Sequence, residues 1–187
     1  MQIKHRTILS LMGIIVGLFL GSATAYSQET GTTTSSDDVV RASKVELELD
    51  GERIDIYKVD GWVIAKAPKG SVALLRSAGD GAAQIDVRYT PGVSSSQKDN
   101  HIKTFHTHLK AKGLKQSSTT VKAIKSDVFP EVVETVYDLT SKGKSYQLVV
   151  WHVHRKNAVW MFTFFKPKDL VDEESLQNLI IQIKVSK

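Results

Sequence analysis

Apolar and polar residues alternate along Val45, Leu47 and Leu49 against Lys44, Glu46 and Glu48, and again along Ile54 and Ile56 against Arg53 and Asp55. Period two sends successive side chains to opposite faces of a strand, and the intervening Asp50-Gly51 supplies residues that tolerate positive φ. The segment therefore predicts a tight β-hairpin. Further strands are predicted over 62–66, 72–75 and 84–89, punctuated by Pro68 and Gly70, by the Gly-rich stretch 77–83, and by Pro91-Gly92. Between 94 and 113 the period changes. Ile102, Phe105 and Leu109 are spaced by three and four, Ser or Asp residues upstream can cap, and Gly113 supplies a stop, so an amphipathic helix over 99–113 should lie across a sheet.

The second half predicts three longer strands, Val132 to Leu139, Ser145 to His154 and Ala158 to Phe165. The turns at 141–144 and 155–157 are so short that consecutive strands must form an antiparallel meander. Leu148 to Trp151 and Ala158 to Phe165 are nearly continuous in apolar character, which predicts strands covered on both faces. Leu176, Leu179, Ile180 and Ile183 fall on one stripe of a closing helix, with Asp169 or Asp172 as its cap. The expected fold class is α+β: an α-β-α sandwich around a mostly antiparallel sheet, without βαβ crossovers.

The N-terminus has a different pattern. Lys4, His5 and Arg6 precede an apolar run from Ile8 to Leu20, and Ala23-Thr24-Ala25 closes it, the three-part layout of a secretory signal peptide cleaved after Ala25. The run is 13 residues long, short of the roughly 20 that span a bilayer. Residues 26–43 are almost free of large apolar side chains before Val39 and read as a flexible tether, because such a stretch cannot offset the entropy of being ordered. The single globular domain is expected over 44–187.

Composition narrows the chemistry. The chain of 187 residues is 41% hydrophobic and 24% charged, with no cysteine. Thiolate catalysis, Cys-based zinc sites and an N-terminal cysteine-linked lipid are thereby excluded. The formal charge is +5, and removal of Lys4 and Arg6 leaves +3, too small and dispersed an excess for nucleic-acid binding.

Several features occur in a definite order: Gly61-Trp62 entering a strand that ends at Pro68, a strand containing Tyr89, and a helix ending Leu109-Lys-Ala-Lys-Gly113. The meander and a closing Leu176-Gln-Asn-Leu-Ile-Ile181 follow. This arrangement resembles the PsbP-like (Mog/PsbP/DcrB-type) family over about residues 57–184, as an exported bacterial member. The resemblance implies a PsbP-like α-β-α sandwich used as a non-enzymatic binding or assembly module, with the hairpin at 44–58 as an N-terminal elaboration. It carries no site residue across.

His152 and His154 are the candidate metal ligands, because residues two apart on a strand share a face and both imidazoles can approach one ion if a third ligand joins them. Tyr146, Leu148 and Val150 share that face, so the pair ends an apolar stripe beside the Arg155-Lys156-Asn157 turn, and the plainer reading is a solvated strand end. His101 and His108 lie about 10.5 Å apart along the helix, too far to share an ion. His106 borders the apolar stripe, and all three read as solvated or boundary histidines. Gly143-Lys144-Ser145 is hairpin chemistry rather than a phosphate loop, since Asp138 stands where that motif needs glycine. Neither a Gly-x-Ser-x-Gly elbow nor a His-Glu-x-x-His helix occurs. Asp127, Glu131, Glu134 and Asp138 read as a solvated sheet edge.

The expected function is an exported, non-enzymatic binding or assembly module of the bacterial envelope, periplasmic or secreted, that meets an envelope protein or a small ligand. No catalytic residue, cofactor, nucleic-acid partner or lasting membrane anchor is expected. The alternative is a periplasmic His-dependent metal-binding protein. Mass spectrometry of exported material should find an N-terminus at Tyr26; an intact Met1 there refutes cleavage.

Overall fold

The computed structural model describes residues 39–40, 43–78, 83–141, 143–170 and 174–186. The signal-peptide and Asp172-cap expectations lie outside these residues, as does most of the tether. The strands in chain order are β1 Val39–Val40, β2 Lys44–Leu49, β3 Glu52–Tyr57, β4 Trp62–Ala65, β5 Ala73–Ser77, β6 Gln84–Pro91, β7 Lys115–Ala123, β8 Glu131–Ser141, β9 Lys144–Arg155, β10 Ala158–Pro167 and β11 Lys184–Ser186. Helix α1 is Lys98–Ala111 and α2 is Glu174–Ile181. Eight strands form the main sheet in the order β1-β4-β5-β6-β10-β9-β8-β7, and a small sheet holds β11-β3-β2. Every pairing among the described residues is antiparallel.

The predicted hairpin forms as β2 and β3, with φ of +53° at Asp50 and +74° at Gly51. The meander also forms, and it is extended by β7. That strand was not foreseen, because Lys-Gln-Ser-Ser-Thr-Thr-Val-Lys-Ala shows no apolar alternation; it is an edge strand with its side chains in water. Val39 and Val40 lie inside the stretch read as a tether, yet pair with Ala65 and Ile64 as β1.

Strand β10 joins the two halves of the chain. It pairs with β9 through the short turn and with β6 from Gln84↔Phe165 to Pro91↔Ala158. Each of its residues from Ala158 to Lys166 is buried, as its continuous apolar sequence requires. On one face Trp160, Phe162 and Phe164 pack with Trp62, Ile85, Phe129 and Trp151 beneath α2 and the small sheet, through Leu176, Leu179, Ile180, Ile54 and Ile56. On the other, Met161 and Phe165 pack with Tyr137, Tyr146, Leu148 and Val150 beneath Phe105 and Leu109 of α1. The layering is thus helix, main sheet, then helix together with a small sheet; the simple α-β-α expectation missed β11, which the chain forms after α2 to extend the hairpin.

Helix α1 begins at Lys98, after the candidate Ser caps and before Asp99, which lies in its first turn. Its N-cap is Gln97, whose Oε1 turns back to accept from Ser94 N and Oγ at 3.1 and 2.9 Å. It stops at Gly113, with φ +83°, where Gly113 N donates to Lys110 O and Leu114 N to Leu109 O, and Leu114 packs into the same apolar cluster as Leu109.

One ion cluster fastens the hairpin to the main sheet. Arg155 donates to both Glu52 oxygens, at 2.5 and 3.3 Å, and Lys156 Nζ lies 2.8 Å from Glu52 Oε1. These bonds, Arg155 first, lower the Glu52 pKa from 4.5 to about 2. The carboxylate takes up its proton more readily in the unfolded chain, so the contribution is complete above about pH 4.5 and is lost as pH falls toward 2. Glu52→Gln should cost about 2 kcal/mol at pH 7 in urea unfolding, with the gap to wild type closing on acidification through that window; a pH-independent gap contradicts the ion-pair account.

Candidate functional site

The strands of the meander decide where α1 can land. On β8, Thr135 and Tyr137 alternate with Glu134 and Val136; on β9, Val150 and His152 alternate with Val149 and Trp151. The register sets Thr135 opposite Val150 and Val133 opposite His152, so Thr135, Tyr137 and His152 share the face that α1 covers. Phe105 and Leu109 bury themselves on that face, and their helical spacing carries His106 onto it as well.

The resulting cluster is polar within an apolar frame. His106 Nδ1 is hydrogen-bonded to the Tyr137 hydroxyl, and its Nε2 lies 3.4 Å from Thr135 Oγ1, so one ring nitrogen donates and the other accepts. Thr135 Oγ1 also lies 3.2 Å from Thr119 Oγ1 on β7, which accepts from Gln116 Nε2 at 2.8 Å. A chain of hydrogen bonds thus runs from beneath the helix to the outer strand. His152 is 2% exposed, with neither ring nitrogen hydrogen-bonded, and its ring stands edge-on to Phe105 and His106 at 5.1 and 5.3 Å between centroids.

Electrostatics keep this cluster neutral. Burial, reinforced by His106 and His101, depresses the His152 pKa to about 3. Burial also lowers His106, with Lys110 adding to the effect, and lowers His101. The Tyr137 hydroxyl is pushed up to about 12 by burial. His152 and Tyr137 are buried and His106 is half-buried, and their ring contacts and hydrogen bonds tie α1 to β8 and β9.

The two predicted ligands have different neighbours. His154 is half-buried and donates from Nε2 to the Val93 carbonyl at 2.8 Å, while His152 points under α1. Among the described residues no three His, Asp or Glu side chains converge as a metal site. The solvated-end reading of His152 is corrected by its burial, whose cause is the helix packed over that end of β9. His106 is likewise no isolated boundary residue, whereas His108 is exposed. Glu134 is buried rather than solvated, accepting from Trp151 Nε1 at 2.6 Å and pairing with Lys122 at 2.9 Å. Asp138 pairs with Lys168 at 3.1 Å, which lowers its pKa. Tyr137, Thr135 and Thr119 carried no signal in the sequence, since nothing local says which strand each will face.

The outer strand β7 has β8 on one side and no described strand on the other. Its side chains from Lys115 to Val121 are exposed, and Val121 is 64% exposed, the largest value among the described large apolar residues. Over the central strands β6, β10 and β9 a cleft lies beside the Glu52 cluster, between Leu49, Tyr89, Arg155 and Trp160. Its charged groups are already paired with one another.

No protein-family model matches the chain, and no curated protein matches it in sequence. Solved structures do. A protein of Bacteroides thetaiotaomicron is similar at 14% identity and a TM-score of 0.52, over 72% of this chain and 45% of that one. The chain therefore spans less than half the length of that relative. Cyanobacterial PsbP (CyanoP) of Synechocystis is similar at 13% identity and a TM-score of 0.51, over 83% of this chain and 100% of that one. LpqN, involved in cell envelope biogenesis of Mycobacterium tuberculosis, is similar at 13% identity and a TM-score of 0.46, over 77% of this chain and 91% of that one. The fold is PsbP-like.

His152 gives a pH signature. In the unfolded chain its pKa is 6.5 and in the folded chain about 3. Protons therefore bind the unfolded chain preferentially between these values, and stability is complete above about pH 6.5 and drains as pH falls. Urea unfolding of His152→Leu from pH 7.5 to 5.0 should show a slope smaller by about 1.4 kcal/mol per pH unit in the acid half of the range, with stability at pH 7.5 equal to or above wild type. Parallel slopes would contradict a neutral buried His152.

Proposed function

We propose that the protein is an exported, non-enzymatic binding or assembly module of the bacterial envelope, working in the periplasm or after secretion. The observation that carries this reading is strand β7. A nine-residue edge strand, exposed along most of its length and without a described outer neighbour, offers a row of backbone donors and acceptors to another chain. The export half of the reading rests on the basic, apolar and small-residue pattern of residues 1–25. The burial of His152 and the hydrogen bonds of His106 to Tyr137 and Thr135 support a positioning role over a chemical one. Among the described residues no helix is long and apolar enough to cross a membrane.

Thr119 and Thr120 allow a direct test. In an antiparallel pair, one of two neighbouring residues directs its N–H and C=O to the partner strand and the next directs both outward. Proline at the outward position leaves the β8 ladder intact and removes the outer one. Epitope-tagged chain purified from envelope extract after cross-linking should migrate in an assembly larger than a single tagged chain. One of the Thr119→Pro and Thr120→Pro variants should fold normally and lose that assembly. A folded chain that stays monomeric in every envelope extract refutes the reading.

A further inference from the structure

Strand β7 differs in charge from the rest of the chain. From Asn100 to Ser126 there is no acidic residue, while Lys103, Lys110, Lys112, Lys115, Lys122 and Lys125 fall in the same span. The end of α1 places Lys110 and Lys112 beside the start of β7, and Lys125 lies just past its end. Lys122 is held by Glu134, and the neighbouring Asp138 is held by Lys168. Among the described residues no ion pair ties down Lys110, Lys112, Lys115 or Lys125.

These cations select among occupants of the edge. A second copy pairing β7 against β7 brings the same lysines alongside one another, and lysine on an edge is a recurrent device against such self-pairing. The charges that repel a second copy attract carboxylates, so the edge carries its own discrimination. Val121, exposed on the same strand, adds an apolar anchor beside the charged row. Resting on the binding-module reading above, we infer that β7 takes an acidic, extended polypeptide segment as an added strand. Its backbone meets the outward N–H and C=O groups of β7, and its Asp or Glu side chains meet Lys112, Lys115 and Lys125.

The probe is a fluorescent nine-residue peptide alternating Glu with Thr and Val, titrated against the purified chain by anisotropy. A Lys-for-Glu counterpart and vesicles of phosphatidylglycerol serve as comparisons. The acidic peptide should bind, with affinity falling steeply as salt rises, and should newly protect alternate β7 amides from hydrogen exchange. The triple variant K112E/K115E/K125E, all at exposed positions, should bind about tenfold more weakly or worse. Whichever of Thr119→Pro and Thr120→Pro keeps the fold should not bind.

Equal binding of the Lys peptide, or binding indifferent to both prolines, overturns the inference. Capture by vesicles that the acidic peptide does not displace overturns it in favour of a lipid surface, and concentration-dependent self-association through β7 overturns it in favour of a second copy. If the acidic peptide fails while the envelope assembly is still lost with the outward proline, the acidic partner is wrong and the module reading stands. If the assembly is indifferent to proline as well, the edge is wrong for both.

Discussion

The fold depends on β10 being sandwiched. Residues from two distant parts of the chain, 84–91 and 144–155, flank one strand that is buried on both faces. A strand with Trp160, Phe162 and Phe164 on one side and Met161 and Phe165 on the other leaves large apolar areas in water unless both sides are covered. Each layer answers that demand. Helix α1 covers one side, while α2, the hairpin and β11 cover the other. The long-range pairing of β6 with β10 makes the arrangement one cooperative body rather than a meander with appendages.

The same constraint distributes the polar groups. A sheet covered twice has few places for charge, and those that enter it are matched: Arg88 Nε donates to Asp86 at 2.7 Å, Trp151 to Glu134, and Arg155 to Glu52. His152 is carried under α1 by the register of β9, and neither of its ring nitrogens is hydrogen-bonded. An uncharged imidazole bears that position at a cost of order 1–3 kcal/mol, whereas a charged one bears far more. This asymmetry ties the packing of α1 to pH.

The proposed binding role draws on what the covering leaves open. The interior is committed to packing, the hairpin end carries its own ion pairs, and β7 is the longest of the described edge strands, which also include β1, β2 and β11. On the binding reading proposed above, the lysines of β7 would reconcile two requirements that usually conflict: an edge able to accept a strand, and a chain that does not polymerise through that edge. Thr135 and Thr119 link this edge to His106, so the outer strand and the helix share one hydrogen-bonded framework.

Much of this was legible in the order of residues alone. The hairpin followed from alternation around Asp50-Gly51, the central meander from short turns between apolar runs, and both helices from stripes such as Phe105 with Leu109 and Leu176 with Leu179 and Ile180. These are local periodicities that burial enforces on each element separately. What could not be read was anything that depends on pairing between distant segments. Ser117 to Thr120 become a strand only because β8 offers an edge; Val185 becomes one only because β3 does; Phe129, in a connection, becomes core only because Trp160 and Phe162 stand beneath it. The candidate site divides the same way. The shared parity of His152 and His154 was visible, but the register that buries one against His106 and turns the other to Val93 is tertiary. A side chain's neighbours across a sheet are set by hydrogen bonds between residues far apart in sequence, and no local pattern encodes them.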